Sequence, residues 1–333
     1  MLRLLSLFSG IGAFERAIEN LGVALDIVNY CELDAVSAKA YSLLHEVDEG
    51  KNLGDITKVD LSTLPKDIDL VTYGFPCQDI SHMGKCTGFT DSEGKRTRSG
   101  LFYNALDIIK AVKPKYAICE NVKALTETMY SDELNSVLQG LEDAGYINYW
   151  QVMNALDVGV PQNRERLFIV SVRKDIDKGF FFPTVYSDGK ANFENYLDKE
   201  VDESYYLNED RTNKMVRDRG LSIPTVDGKR YIGTLYAYAS QKYCRQPVPY
   251  CRTLKALLAD VCLVEVVNNK FRARFLTPEE YFKFMGFRVS DCELLKSKGF
   301  SKTNLYRMAG NSIVVDVLER IFEMLFMQYG VIT

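Results

Sequence analysis

Histidine is scarce: the chain has two in 333 residues. With so few imidazoles, and with Cys86 and Cys119 lacking an obvious partner, there is little from which to build a zinc site. Eight cysteines without regular spacing do not make a disulfide framework in a chain this long. No stretch approaches the roughly 18 consecutive apolar residues of a membrane span. Met1-Leu2-Arg3 leads straight into a strand and a glycine turn, without a cleavable signal region. There are no repeats and no low-complexity tail. The expectation is a soluble, cytoplasmic enzyme whose thiols stay reduced, built without metal. Neither sign of charge dominates: 41 Lys and Arg face 45 Asp and Glu, for a net charge of −4.

What is present is organised around a thiol. Ile68-Asp69-Leu70-Val71-Thr72-Tyr73 reads as a buried strand. Gly74-Phe75-Pro76-Cys77-Gln78 follows it and places Cys77 at a sharp turn on the edge of a sheet. In open α/β sheets the carboxyl ends of the strands are where ligands bind. A Pro-Cys pair alone is a weak signal, since a free cysteine is more often buried and inert than catalytic.

The N-terminus supplies the first companion. Leu4-Leu5-Ser6-Leu7-Phe8 is a strand, Ser9-Gly10-Ile11-Gly12-Ala13-Phe14 a turn, and Glu15 to Leu21 a helix ending at Gly22. Strand, glycine turn and helix make a Rossmann-type opening, where backbone approaches a ligand at a helix N-terminus. Gly10 and Gly12 match the first two glycines of a dinucleotide fingerprint, but Glu15 stands where the third belongs, which argues against a bound pyrophosphate. The next strand, Ile27 to Cys31, ends at Glu32, an acid suited to a ribose diol. By itself the turn is as well read as a plain tight turn.

Further pieces follow in order: Gly54-Asp55-Ile56; the strand Tyr116-Ala117-Ile118-Cys119 with Glu120-Asn121-Val122; Gln162-Asn163-Arg164-Glu165-Arg166 running into the strand Leu167 to Val172; and Ala309-Gly310-Asn311-Ser312-Ile313-Val314-Val315. Each has a bland alternative, such as a strand-end cap for Glu120, a solvated charge run for Arg164 and Arg166, or a helix start for Gly310-Asn311. Their combination and order resemble the cytosine-C5 DNA methyltransferases, the bacterial and phage modification enzymes. The resemblance covers residues 2–172 and about 274–328, with the thiol, Glu-Asn-Val and Gln-x-Arg-x-Arg motifs intact.

The resemblance implies an α/β fold: a Rossmann-like, S-adenosylmethionine-dependent methyltransferase domain at 1–173, a smaller, mostly β target-recognition domain at 174–273, and a C-terminal segment at 274–333 returning to the catalytic domain. It implies that Cys77 attacks C6 of a cytosine, that Glu120 in its protonated form donates to N3, that Arg166 holds O2, and that Arg164 braces the thiol loop or a phosphate. For the cofactor, whose product is S-adenosylhomocysteine, Gly10 and Gly12 admit the methionine part and Phe8 stacks on adenine. Glu32 takes the ribose hydroxyls, Asp55 the adenine amine, Pro76 and Leu101 wall the pocket, and Asn311 closes the methionine end. Gln78 and Ser81 belong to a loop that closes over DNA. Gly84, Gly88, Gly94 and Gly100, with Lys85, Lys95, Arg96 and Arg98 among them, read as a mobile, phosphate-gripping continuation of it.

Net charge averages over faces. Between Tyr205 and Lys255 there are ten Lys or Arg and four acids, a local excess of six that leaves −10 for the rest. Tyr231, Tyr236, Tyr238 and Tyr243 interleave with the basic residues, a texture suited to nucleic acid. Arg211, Arg217, Arg230, Lys242 and Arg245 are the candidate DNA contacts. Short β-like runs replace helical periodicity here: Tyr231 to Tyr236, then Cys262 to Val267 with a hairpin turn at Asn268-Asn269. Thr277 caps a helix with Pro278 at its first position, and a last amphipathic helix runs from about Ser312 to Gln328.

The expected partner is double-stranded DNA, met by a monomer, with room for a cognate restriction endonuclease acting on the same site. A nicotinamide dehydrogenase would share the opening but has no use for Cys77 with Glu120. A catalytically dead DNA-binding module would most naturally have lost Cys77, Glu120 or Arg166. Within the family, a transfer-RNA cytosine-C5 methyltransferase is the alternative, and the long basic segment favours DNA.

Overall fold

The computed structural model describes residues 1–76, 89, 97–184, 192–218, 220–221, 229–236, 247–256 and 261–331. Along the chain the elements are β1 (Leu2–Leu7), α1 (Ala13–Asn20), β2 (Leu25–Cys31), α2 (Ala35–His45), β3 (Leu70–Tyr73), α3 (Phe102–Val112), β4 (Tyr116–Val122), α4 (Ser131–Asp143), β5 (Tyr146–Asn154), β6 (Gln162–Asn163), β7 (Glu165–Arg173), α5 (Glu209–Asp218), β8 (Lys229–Tyr236), β9 (Cys251–Arg252), β10 (Val261–Val267), β11 (Lys270–Phe275), α6 (Pro278–Phe284), α7 (Val289–Ser297), α8 (Lys302–Asn311) and α9 (Val315–Tyr329). Two compact units divide them: unit 1 takes Met1–Asn154, Glu165–Thr184 and Val315–Thr333, and unit 2 takes Ala155–Arg164 and Val185–Val314.

Unit 1 is built on a sheet in the order β2-β1-β3-β4-β7-β5. β2, β1, β3 and β4 are parallel, whereas β7 runs antiparallel to both β4 and β5. The parallel strands are near-continuous apolar runs, as strands buried on both faces must be. Leu4, Leu5, Leu70, Val71, Ala117 and Ile118 are all fully enclosed. β5 lies at the sheet edge, with Ile147, Trp150 and Gln151 exposed. Its mixed Tyr-Ile-Asn-Tyr-Trp-Gln-Val pattern lacks both a continuous run and an alternation, so periodicity does not disclose it. α1 packs on α9 through Phe14 and Phe322, whose rings meet edge to face at 6.3 Å. The chain's first helix and its last therefore share one core.

Unit 2 holds a three-stranded antiparallel sheet, β11-β10-β8, and a short parallel pairing of β6 with β9. Asn268 and Asn269 adopt φ of 48° and 60°, the left-handed pair that a tight β10–β11 hairpin needs. Met215 of α5 seats on Leu235, Cys262, Val264 and Ala273. α6 begins with a full capping box, Thr277 with Glu280, and Pro278 at its first position. Glu280 also forms a fully buried, two-pronged pair with Arg274, at 2.8 and 2.7 Å, and accepts from the backbone of Asp198 and Thr277. Removing one partner would strand a buried charge at roughly 3–5 kcal/mol. That pair fastens α6 to β11, and contacts group 274–314 with unit 2; of the segment from 274 onward, only 315–333 groups with unit 1.

Candidate active site

The carboxyl ends of the parallel strands gather the unit 1 residues singled out above. Past β1, Phe8 (φ 54°) and Gly10 (φ 56°) turn in the left-handed region, and Gly12 (φ 79°) caps α1. Phe8 is half-buried against the core. The Gly10 N–H donates to Glu32 Oε2 at 2.9 Å, and the Asp34 N–H to Oε1 at 2.8 Å. Burial pushes the Glu32 carboxyl up from its ordinary range, opposed by those backbone donors. Asn52 fixes the same residue: its Oδ1 accepts from Glu32 N and Gly54 N, and its Nδ2 donates to Glu32 O, each at 3.0 Å. One amide thus ties the end of β2 to the loop carrying Asp55. Asp55 caps a short helical turn at Ile56–Lys58, accepting from the hydroxyl and backbone of Thr57, which hold its carboxyl below the ordinary range.

Glu15, the residue in place of a third glycine, is fully buried and accepts from the Tyr41 hydroxyl at 2.8 Å. It faces α2, in a role no glycine could fill. Sequence reasoning passed over two residues here. Asn52 gave no signal beyond its place before Gly54. Leu33, between Glu32 and Asp34, is 74% exposed; an apolar residue between two acids after a strand was the available clue.

Beyond β3 the backbone passes Gly74 and Phe75 to Pro76, whose carbonyl accepts from Ser99 Oγ at 2.8 Å. The Asn121 amide donates to the Phe75 carbonyl at 3.1 Å, holding the turn against β4. A Cβ on Gly74 would sit 3.5 Å from Glu120 Oε2, so the turn lies directly against that carboxylate. β4 is longer than the sequence suggested: Glu120 lies within it, opposite Phe168, while Arg166 lies opposite Val122. The Arg166 Nε stands 3.0 Å from Glu120 Oε1, both side chains largely covered. Leu101 is half-buried at the entry to α3. Cys77, Gln78 and Ser81, along with 84–88 and 94–96, lie outside the described residues.

Arg164 belongs to unit 2 and is buried, 4% exposed. Its guanidinium donates to the carbonyls of Leu254 (2.8 Å), Gly310 (3.2 Å) and Ser312 (2.6 Å). It thereby joins the Gln-x-Arg-x-Arg and Gly-Asn-Ser motifs, an arrangement that spends its donors on backbone and leaves little surface for a phosphate. Gly310 is required for a steric reason, since a Cβ there would fall 2.1 Å from the Lys255 carbonyl. Gly310 and Asn311 end α8 rather than starting a helix, and Asn311 is exposed.

Of the candidate DNA contacts, Arg211 and Arg217 are exposed on α5. With Lys214, also exposed, they recur every third residue and so span about 120° of one helical face. Arg230 contributes backbone to β8, its side chain lying outside the described residues, as do Lys242 and Arg245 entirely. Among the described residues there is no His, Cys, Asp and Glu grouping able to hold a metal, and no helix long and apolar enough to cross a membrane.

The profile described as C-5 cytosine-specific DNA methylase matches residues 2–327. The orphan methyltransferase M.SPRI of Bacillus phage SPR is 30% identical over 98% of this chain and 98% of its own. The type II methyltransferase M2.ScrFI of Lactococcus lactis subsp. cremoris is 38% identical over 83% of this chain and 71% of its own. The structure of the Entamoeba histolytica methyltransferase EhMeth superposes with a TM-score of 0.73 at 16% identity, covering 98% of each chain, and so shares the Rossmann-like fold. With its Pro-Cys and Glu-Asn-Val motifs and a family match over residues 2–327, this chain belongs to the C-5 cytosine-specific DNA methylases.

Proposed function

We propose that this protein methylates C5 of a cytosine flipped out of duplex DNA, using Cys77 as nucleophile and S-adenosylmethionine as donor. The observation that carries the reading is the Glu120–Arg166 pair, set against the turn that leads into Cys77. C5 is a poor nucleophile; thiolate attack at C6 makes the ring an enamine whose C5 is nucleophilic, splitting one hard step into easier ones. As charge develops toward N3, Glu120 donates a proton there and accepts from the exocyclic amine. Arg166 moves its donors to O2. As the base enters, Arg166 turns from the carboxylate to the pyrimidine oxygen, and Glu120, taking up a proton from solvent, is the acid that passes it to N3. Loss of the C5 proton then expels Cys77.

The chain's residues fit the cofactor. A left-handed glycine turn at a helix N-terminus brings backbone close to a ligand, and Glu32 is a half-buried carboxylate held by two N–H donors at a strand end. The cofactor supplies an electrophilic methyl on a sulfonium. Glu32 accepts the ribose hydroxyls, Asp55 the adenine amine, Phe8 and the exposed Leu33 flank the adenine, and Pro76 and Leu101 bound the pocket.

Sequence choice belongs to unit 2, within about 174–260, where α5 offers its basic face. The alignment with M.SPRI spans 437 residues against 333 here, so that relative carries at least 104 positions without a counterpart in this chain. The 174–260 segment of this chain is itself long enough for one recognition unit, and hence for a single short site. We place the enzyme in the cytoplasm as a monomer, since its thiol needs a reducing compartment.

The test is bisulfite sequencing of DNA, and separately of transfer RNA, from cells expressing the wild type and Cys77→Ser, with capture on duplex DNA carrying 5-fluorocytosine. Methylation at a fixed DNA motif and a covalent adduct, both lost in Cys77→Ser, are the expected results. Methylation confined to transfer RNA, or persisting in the serine variant, sinks the proposal.

A further inference from the structure

A buried histidine that the chemistry above does not use holds the glycine turn from behind. His45 ends α2, and its side chain is completely enclosed. Its Nε2 lies 3.1 Å from the Ile11 carbonyl oxygen, and its Nδ1 2.8 Å from Glu19 Oε1. A carbonyl oxygen only accepts. The Glu19 carboxylate is already paired through Oε2 with Arg16 Nη1, at 2.7 Å, and as an ionised group it too only accepts. A neutral imidazole has one N–H and would turn a lone pair toward one of these oxygens. Two acceptors call for two protons.

Ionisable groups on α1 and α2 border the cluster, and Glu319 of α9 reaches the end of α1 through Asn20 at 2.7 Å. Arg16, besides pairing with Glu19, donates to the Leu44 carbonyl at 3.3 Å. The Tyr41 ring lies 4.9 Å from the imidazole, and its hydroxyl is engaged by Glu15. Glu19 is thus flanked by the Arg16 guanidinium on one oxygen and the His45 ring on the other.

We propose that His45 is a positioning residue for the cofactor loop: doubly protonated, it clamps the Ile11 carbonyl and so fixes the peptides that present Gly10 and Gly12. A Cβ on Gly12 would fall 2.0 Å from His45 Nε2, so the same close approach that makes the clamp also requires the glycine. From the clamped turn the Gly10 N–H reaches Glu32, so the ring's hold on Ile11 extends to the carboxylate that receives the ribose. Loss of the second proton points a lone pair at the Ile11 oxygen and loosens the turn. The inference rests on reading this turn as part of the cofactor site.

Two measurements test it. The first is independent of cofactor. With two histidines in the chain, His82→Gln leaves His45 as the only imidazole, and nitrogen NMR near neutral pH should show protons on both of its ring nitrogens. A neutral tautomer overturns the proposal. The second compares cofactor binding by calorimetry in wild type, His45→Phe and His45→Gln. The phenylalanine variant should bind S-adenosylmethionine about tenfold more weakly, with cofactor KM rising more than kcat falls. Glutamine, which keeps a donor for Ile11, should recover part of the loss. Unchanged affinity in a folded phenylalanine variant overturns the clamp; if that variant does not fold, the NMR result decides. A wild type that binds no cofactor at any pH refutes instead the reading of the turn, a failure visible without any variant.

Discussion

Arg166 and Glu120 face each other across two antiparallel strands, Nε to Oε1 at 3.0 Å. Acid and cation are thus brought together before any base arrives. The pairing holds both groups beside the turn at Gly74, so under the proposed mechanism exchange of one partner for the substrate would deliver both at once.

Glu120→Gln should therefore bind cofactor normally and lose about a hundredfold or more in turnover, because an amide cannot supply the N3 proton. Arg166→Lys keeps the charge but not the planar fork that can serve a carboxylate and then a pyrimidine oxygen, and should also lose most activity. Single-turnover methylation assays decide. Near-normal rates in Glu120→Gln would show that another group protonates the ring.

Glu32→Ala should weaken S-adenosylmethionine binding by roughly ten- to a hundredfold, the scale of hydrogen bonds to a charged group, while DNA affinity persists. Because burial raises the Glu32 carboxyl, the ionised form that accepts ribose hydroxyls should be lost on acidification sooner than for an ordinary surface glutamate. Titration calorimetry across the acidic range should show cofactor affinity falling as pH falls. A flat wild-type profile would exclude Glu32 as the ribose acceptor.

Asp316, in the first turn of α9, is pushed up to about 6 by burial, with Glu319 adding to the effect. Its unfolded counterpart titrates near 4. A group raised on folding stabilises fully below the unfolded value and loses that contribution as pH rises through the folded one. Between about pH 4 and 6 this carboxyl should thus withdraw up to roughly 3 kcal/mol as pH increases. Asp316→Asn should melt higher than wild type above about pH 6, and its advantage should shrink toward pH 4. Melting curves that stay parallel over this range would contradict the assignment.

Grafting residues 174–260 into a relative of known specificity should carry this protein's site with it. Within that region, Ala at Arg211, Lys214 or Arg217 should separate phosphate contacts, which weaken all sequences alike and flatten the salt dependence, from base contacts, which relax choice at one position for about 1–3 kcal/mol each. An active chimera that keeps its host's motif, or a methylome with several unrelated motifs, would overturn the placement.

Much of the candidate site is legible in residue order alone. The turn at Gly74-Phe75-Pro76, the glycine turn, Glu32, Asp55, Glu120 and Arg166 each sit at or near a strand end, and strands buried on both faces announce themselves as apolar runs. The Thr277 cap and the Asn268-Asn269 turn are likewise local, set by a side chain's reach to nearby backbone and by the tolerance of asparagine for positive φ. Other features depend on neighbours far along the chain. The edge strand β5 has no periodicity of its own and exists because β7 offers it a ladder. Arg164 reads as a charge in a charged run, yet lies buried because carbonyls 90 to 148 residues away take its protons. Glu15 and His45 look like ordinary helix residues until α1 and α2 pack and give each a partner. Sequence determined which groups are available and in what order along the chain; folding decided which of them are buried, and burial is what turns a polar side chain from a solvated surface group into one that must find, and then hold, a specific partner.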